Sequence, residues 1–160
     1  MLVGMAEFDF LVGVFDVRNR RKAVASLIAD PAATLAAGWE EFPAVNTGTA
    51  FLGGQVVVDE YAAVLPGGRE VAFVDVHAHD PGTGRWSNAI HARGHSPDWS
   101  LHVGRFEDGV GTFYRELDGL RMRHTWDRVT AASARFRQAF STDGGATWHD
   151  NWIMELSRRA

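Results

Sequence analysis

The chain has 160 residues, enough for one domain (1–160) with a real hydrophobic core, and its 46% hydrophobic and 22% charged residues exclude disordered and collagen-like classes. A formal charge of -4 supplies no positive field for phosphate backbones or anionic lipid, so neither nucleic acid nor membrane is an expected partner. Cysteine is absent, which rules out disulfides, thiolate metal sites and a cysteine nucleophile and fits a reducing compartment.

In chain order, Met1 to Phe15 carries Glu7 and Asp9 and has no basic segment followed by a long apolar run. It reads as neither signal peptide nor membrane span, and a cytoplasmic protein is expected. A first strand is expected from near Phe10 through Val17. Next, Arg18, Arg20, Arg21 and Lys22 form a basic cluster, read as a solvated strand end or, alternatively, a site for an anionic partner. Ala23 to Ala37 is alanine-rich, and Asp30 as cap, Pro31 at the first helical position and Gly38 as stop describe a short helix from Pro31 to Ala37. The alternative for residues 30–38 is an irregular connection.

From Leu52 onward short stretches rich in Val, Phe, Trp, Tyr and Thr alternate with glycine-containing turns at Pro66-Gly67-Gly68, Asp80 to Gly84, Glu107-Asp108-Gly109, Asp118-Gly119 and Asp143-Gly144-Gly145. The strands between them are Gln55 to Val64, Glu70 to Ala78, Trp86 to Arg93, Gly111 to Leu117, Arg121 to Arg128, Ala134 to Ser141 and Trp148 to Ser157. Period-two alternation turns Phe136, Gln138 and Phe140 inward against Arg135 and Arg137. It likewise turns Met122, His124 and Trp126 inward, and groups Trp148, Trp152, Met154 and Leu156 against His149, Asn151 and Glu155. Many antiparallel strands with one apolar face either stack as a sandwich or close on themselves. Closure removes the exposed edges, so the expectation is an all-β, single closed antiparallel barrel.

Several segments, in order and spanning nearly the whole chain, carry a family resemblance: Phe8–Gly13 (FDFLVG), Trp39–Phe42 (WEEF), Asp80–Ser87 (DPGTGRWS), Val103–Gly109 (VGRFEDG), Ala139-Phe140-Ser141, Gly144–Trp148 (GGATW) and Asn151–Glu155 (NWIME). Together they resemble a calycin-like family of unknown function, the DUF1579 type. The resemblance implies a lipocalin-like barrel with a central cavity and carries no catalytic residue set. This chain departs from the family pattern at Val14-Phe15, at Asn88 to His91, at His124, and at Phe136-Arg137, where bulkier aromatic or acidic residues are usual. If these positions face inward, the cavity is larger and more polar than the family norm; ordinary drift with compensating core volume is the alternative.

Within such a barrel His124, flanked by Met122 and Trp126, is the first candidate for acid–base work, because a partly desolvated imidazole exchanges protons near neutrality. Gln138 between Phe136 and Phe140 needs partners from the protein or a guest. Tyr114 and Glu60 complete the candidate catalytic set, although whether Val57 and Tyr61 or Val56 and Val58 face inward is open. Trp86, Trp126 and Trp152 offer flat aromatic walls. With Asn88, His91, Phe136, Phe140 and Met154 they form the expected ligand-binding set. His77 and His79 share one strand face, as metal ligands would, but lack a recognisable third ligand, and His79 adjoins an exposed turn; no metal site and no cofactor is expected. Phosphate-binding and serine-nucleophile signatures are missing.

Two functions follow. One is a cofactor-independent enzyme that folds an apolar substrate into a reactive shape for cyclisation, isomerisation or dehydration. The other is a passive carrier or sensor of a hydrophobic small molecule. His124, Asn88 and His91 in place of apolar family residues favour the enzyme, and self-association as a homodimer is open.

Overall fold

A computed structural model describes residues 7–160; residues 1–6, part of the stretch examined for a leader, lie outside the described residues. The strands are β1 (Gly13–Lys22), β2 (Trp39–Phe51), β3 (Val56–Val64), β4 (Glu70–Asp80), β5 (Arg85–Ala92), β6 (His102–Glu107), β7 (Val110–Leu117), β8 (Leu120–Asp127), β9 (Ser133–Ser141) and β10 (His149–Arg158). Each pairs antiparallel with its neighbour in sequence, and β1 also pairs with β10, so the meander shuts into one closed barrel. No helix of the described residues is long and apolar enough to cross a membrane.

The helix reading of the alanine-rich stretch holds as α1 (Pro31–Ala36): the Asp30 carboxylate accepts from the Ala33 amide at 3.0 Å and Pro31 opens the first turn. Two strands, β2 and β6, go beyond the expected set. In β2 the inward residues are Phe42, Ala44, Asn46 and Gly48, three of them small or polar, so the apolar signal is faint. Pro43 is tolerated there because pairing with β3 begins only at Ala44.

One end of the barrel is plugged by the 3-10 turn Asp9–Leu11 and the residue before it. Phe8 is fully buried, its ring 4.1 Å from the His77 ring and 4.8 Å from that of Trp86. The plug fits because position 48 is glycine: a Cβ there would run into the Leu11 carbonyl. At the other side the wall is incomplete. β5 and β6 pair only at Trp86↔Gly104, Ser87↔Val103 and Asn88↔His102, while β4 keeps pairing with β5 up to Ala92. The segment from Arg93 to Leu101 bows away, and the β5 edge from Ala89 to Ala92 is left without a partner on β6.

A bulge between Asp150 and Trp152 shifts the phase of β10. Two expectations are corrected by it. Asn151, expected outside, is fully buried, and Trp148, expected inside, lies on the outer wall under Arg123, whose guanidinium is 4.4 Å from its ring centre.

Candidate functional site

The plug fills only part of the interior. Above it lies a cavity of about 230 Å³ walled by Tyr61, Phe73, Ile90, Trp126, Phe136, Trp152, Met154 and Leu156, with Asn46, Asp59, Asp75, His124 and Gln138 as its polar members. That volume suits one ring with short substituents, since an apolar cavity of about 150 Å³ already admits benzene. A groove of about 530 Å³ at the β5–β6 gap shares Ile90, Ala92 and Gln138 with the cavity. A second depression, bordered by Arg21, Arg69 and Arg93, shares Phe73, Ala92 and Trp152 with it. Both surface depressions therefore adjoin the cavity. A larger concavity of about 750 Å³ over Arg85, Arg105 and Tyr114 belongs to the outer wall, and none of its residues is buried.

Period-two alternation from buried Val57 carries Asp59 and Tyr61 inward on β3, and from Phe73 carries Asp75 and His77 inward on β4. His77 Nε2 lies 2.7 Å from Asp59 Oδ1 and its Nδ1 lies 2.8 Å from Asn88 Oδ1. Both partners are acceptors, so both ring nitrogens carry hydrogen and the ring is an imidazolium. Burial opposes that charge, but Asp75 and Asp59 outweigh it and raise the pKa to about 9. Asp75 is less well served: its Oδ2 is 3.8 Å from His77 Nε2 and its buried Oδ1 has no hydrogen-bond partner among the described residues. Burial pushes this carboxyl up to about 7, with His77 acting against the rise and Asp59 adding to it.

Across the barrel, four or five strands away around the ten-strand ring, β8 and β9 present His124 and Gln138. His124 Nε2 donates to Gln138 Oε1 at 2.8 Å, and Gln138 Nε2 donates to Asn151 Oδ1 at 3.1 Å. The amide thus holds His124 in the Nε2–H tautomer, leaving Nδ1 a lone pair. Burial lowers the His124 pKa to about 4, only partly offset by the Gln138 bond, so the ring is neutral at pH 7. His102 stacks on it with ring centres 3.6 Å apart, and burial, with His124 beside it, lowers its pKa as well. Higher up, the Tyr61 hydroxyl and the Trp152 indole N–H both donate to Asn19 Oδ1, at 2.8 and 3.0 Å, which fixes two of the aromatic walls.

Of the expected site residues, the structure brings His124, Gln138, Trp126, Phe136, Trp152 and Met154 together around the cavity. Asn88 is interior but bound to His77, and Trp86 is packed in the plug, donating to Glu7 at 2.7 Å. Phe140 belongs to a separate cluster with Leu120 and Met122. Three of the candidate residues lie away from the cavity. Glu60 points outward because Asp59 and Tyr61 take the inner phase. Tyr114 lies on the outer face, under Arg121 and beside Trp148, because Phe113 takes the inner one. His91 lies against Trp99 of the Arg93–Leu101 segment, outside the wall, because Ile90 faces the cavity. Arg21, counted with the solvated cluster, is buried, its guanidinium 5.5 Å from the Trp152 ring centre.

The interior polar residues not expected from sequence include Asn19, Asn46, Asp59, Asp75, His102 and Asn151, with His77 in an ion pair. Choosing the Val57–Tyr61 phase on β3 would have placed Asp59 inside. On β4 the spacing of Phe73, Asp75 and His77 was the available signal. No group of three or more His, Asp or Glu side chains with metal-binding geometry occurs among the described residues.

No family model matches the chain, and no curated protein does. Among solved structures it is similar to Rv2717c from M. tuberculosis, with a TM-score of 0.63 at 10% identity over 98% of each chain. It is also similar to the S-type phycobiliprotein lyase CPES from Guillardia theta, with a TM-score of 0.58 at 10% identity over 96% of this chain and 90% of that one. Both likenesses bear on architecture: the chain is a closed, lipocalin-like (calycin-like) β-barrel.

Proposed function

We propose that the barrel binds a small, largely apolar molecule and acts on it as a cofactor-independent isomerase, cyclase or dehydratase. The observation that carries this reading is that groups able to move a proton, Asp75 on β4 and His124 on β8, face one apolar cavity from opposite walls. His124, neutral and oriented by Gln138, takes or returns a proton at Nδ1; Asp75, with its raised pKa, serves as the acid. Trp126, Phe136, Trp152 and Met154 hold the substrate in one shape, which lowers the entropy still to be lost on reaction. Such reactions shift protons within one molecule or expel water, so electrons balance without an oxidant or reductant. The CPES lyase, on the same fold, is by its name an enzyme, which agrees with this reading. Kinship with the DUF1579-type family rests on the ordered motifs, and a cytoplasmic location on the cysteine-free composition.

The test is native mass spectrometry of the chain purified from its producing cells, followed by incubation of the released small molecule with fresh protein. Conversion that is lost in His124→Ala and Gln138→Ala while both variants still fold cooperatively supports the enzyme. A guest that is retained and never converted makes the barrel a carrier.

A further inference from the structure

Two buried side-chain atoms of cavity-lining residues, Asp75 Oδ1 and Asn46 Nδ2, have no hydrogen-bond partner among the described residues. Buried polar atoms are nearly always paired, so two orphans lining one hollow indicate what the guest must supply. Asn46 Nδ2 can only donate. The role of Asp75 follows from how its neighbours are engaged. The His77 imidazolium spends one N–H on Asp59 at 2.7 Å and the other on Asn88 at 2.8 Å, and the ring is roofed by Phe8. Asp75 is left 3.8 Å from that cation, with the Asp59 carboxylate opposite it on β3 and uncharged Ile90 opposite it on β5. An ionised Asp75 would add a second carboxylate to a pair already neutral, with one oxygen wholly unsolvated. Keeping the proton leaves a neutral carboxyl, and the rise of its pKa to about 7 agrees. Both orphans are then donors on side chains that border an aromatic-walled space.

Resting on the proposed function above, we infer that the guest is an acceptor-bearing carbonyl compound, a small cyclic or aromatic ketone, enone or quinone, whose carbonyl oxygen is received by the Asp75 carboxyl while Asn46 serves a second acceptor. An amine or other donor would leave Asn46 unanswered and would have to strip Asp75 of its proton. The His124 ring borders the same cavity, with Nε2 engaged by Gln138 and the Nδ1 lone pair left to act on the carbon skeleton of such a guest. Proton removal next to the carbonyl would place the resulting electron pair on the oxygen held at Asp75, and return of the proton at another carbon completes an isomerisation with no co-reactant.

The probes are carbonyl-labelled acetophenone, its isostere α-methylstyrene, which has CH₂ for the oxygen, and benzylamine. Binding to the full chain is followed by tryptophan fluorescence, and the bound carbonyl by isotope-edited infrared spectroscopy. The expected result is that acetophenone binds at least tenfold tighter than α-methylstyrene below pH 7. Its carbonyl band then lies at lower wavenumber than in hexane, and both effects fade as the pH is raised through about 7. Asp75→Leu abolishes the band shift. Asp75→Asn, which keeps a donor of the same shape, retains a shift but loses its pH dependence. Equal binding of the two isosteres with a hexane-like carbonyl band overturns the inference while leaving a binding cavity in place. Tighter binding of benzylamine, growing with pH, overturns it in favour of an ionised Asp75. Binding of none of the three overturns both the inference and the proposed function beneath it.

Discussion

Replacing Asp59 by asparagine keeps the shape of the interior and removes the charge that His77 pairs with. The imidazolium would be left with Asp75, 3.8 Å away, as its nearest carboxylate. Stranding one member of a buried pair costs about 3–5 kcal/mol, and that is the expected loss near pH 6. The pH dependence distinguishes this from a generic packing defect. The folded-state pKa of His77 is raised to about 9 from 6.5, so its contribution is fully present below pH 6.5 and is lost as the pH rises through 9. That interval corresponds to on the order of 3 kcal/mol. Asp75, also raised, adds a decline of the same sign that is complete near pH 7, so the window from about 7.5 to 9.5 reports chiefly on His77. Urea unfolding followed by tryptophan fluorescence should show wild type weakening across that window and Asp59→Asn weakening less, because Asp75 still supports the imidazolium, so that the two curves draw together toward pH 10. Wild-type stability that is level from pH 6.5 to 9.5, or a penalty for Asp59→Asn equal at pH 6 and pH 10, would refute the imidazolium assignment.

Gly48→Ala should lower stability by about 1–3 kcal/mol, read from the urea midpoint, because the added methyl meets the Leu11 carbonyl and displaces the plug. Gln138→Ala leaves the His124 N–H and Asn151 Oδ1 without these partners and should cost about 1–3 kcal/mol; wild-type stability in this variant would show that the two bonds are not formed. Glu60→Gln and Tyr114→Phe, both on the outer wall, should leave acetophenone affinity within about twofold of wild type in a fluorescence titration, and a tenfold loss in either would mean that these side chains reach the guest.

Strands whose inner face is large and apolar, such as β8 with Met122, His124 and Trp126, are readable from sequence because alternation shows directly in the residue types. The same property hides β2, where Ala44, Asn46 and Gly48 take the inner positions, since an inner face that makes room for a plug and a polar cluster no longer looks apolar. The bulge at Asp150/Trp152 is invisible to any fixed period, and it exchanges the faces of Trp148 and Asn151. Half of the candidate site follows from His124 and Gln138 sitting between aromatics. The other half, Asp59 and Asp75, is charged and would be assigned to solvent on composition alone; only closure of the barrel around His77 brings the two carboxylates inside. Glu60 and His91 lie next in the chain to inward residues, and a slip of one position reverses a side chain's face.

The hollow itself is tested most directly by diffraction from crystals pressurised with xenon, an apolar atom that settles in empty hydrophobic space. The expected result is one strong internal xenon peak between Tyr61, Trp126 and Met154, lost on filling the cavity with Ala92→Phe. Xenon found only outside the barrel, with side chains packed solid between those three residues, would contradict it.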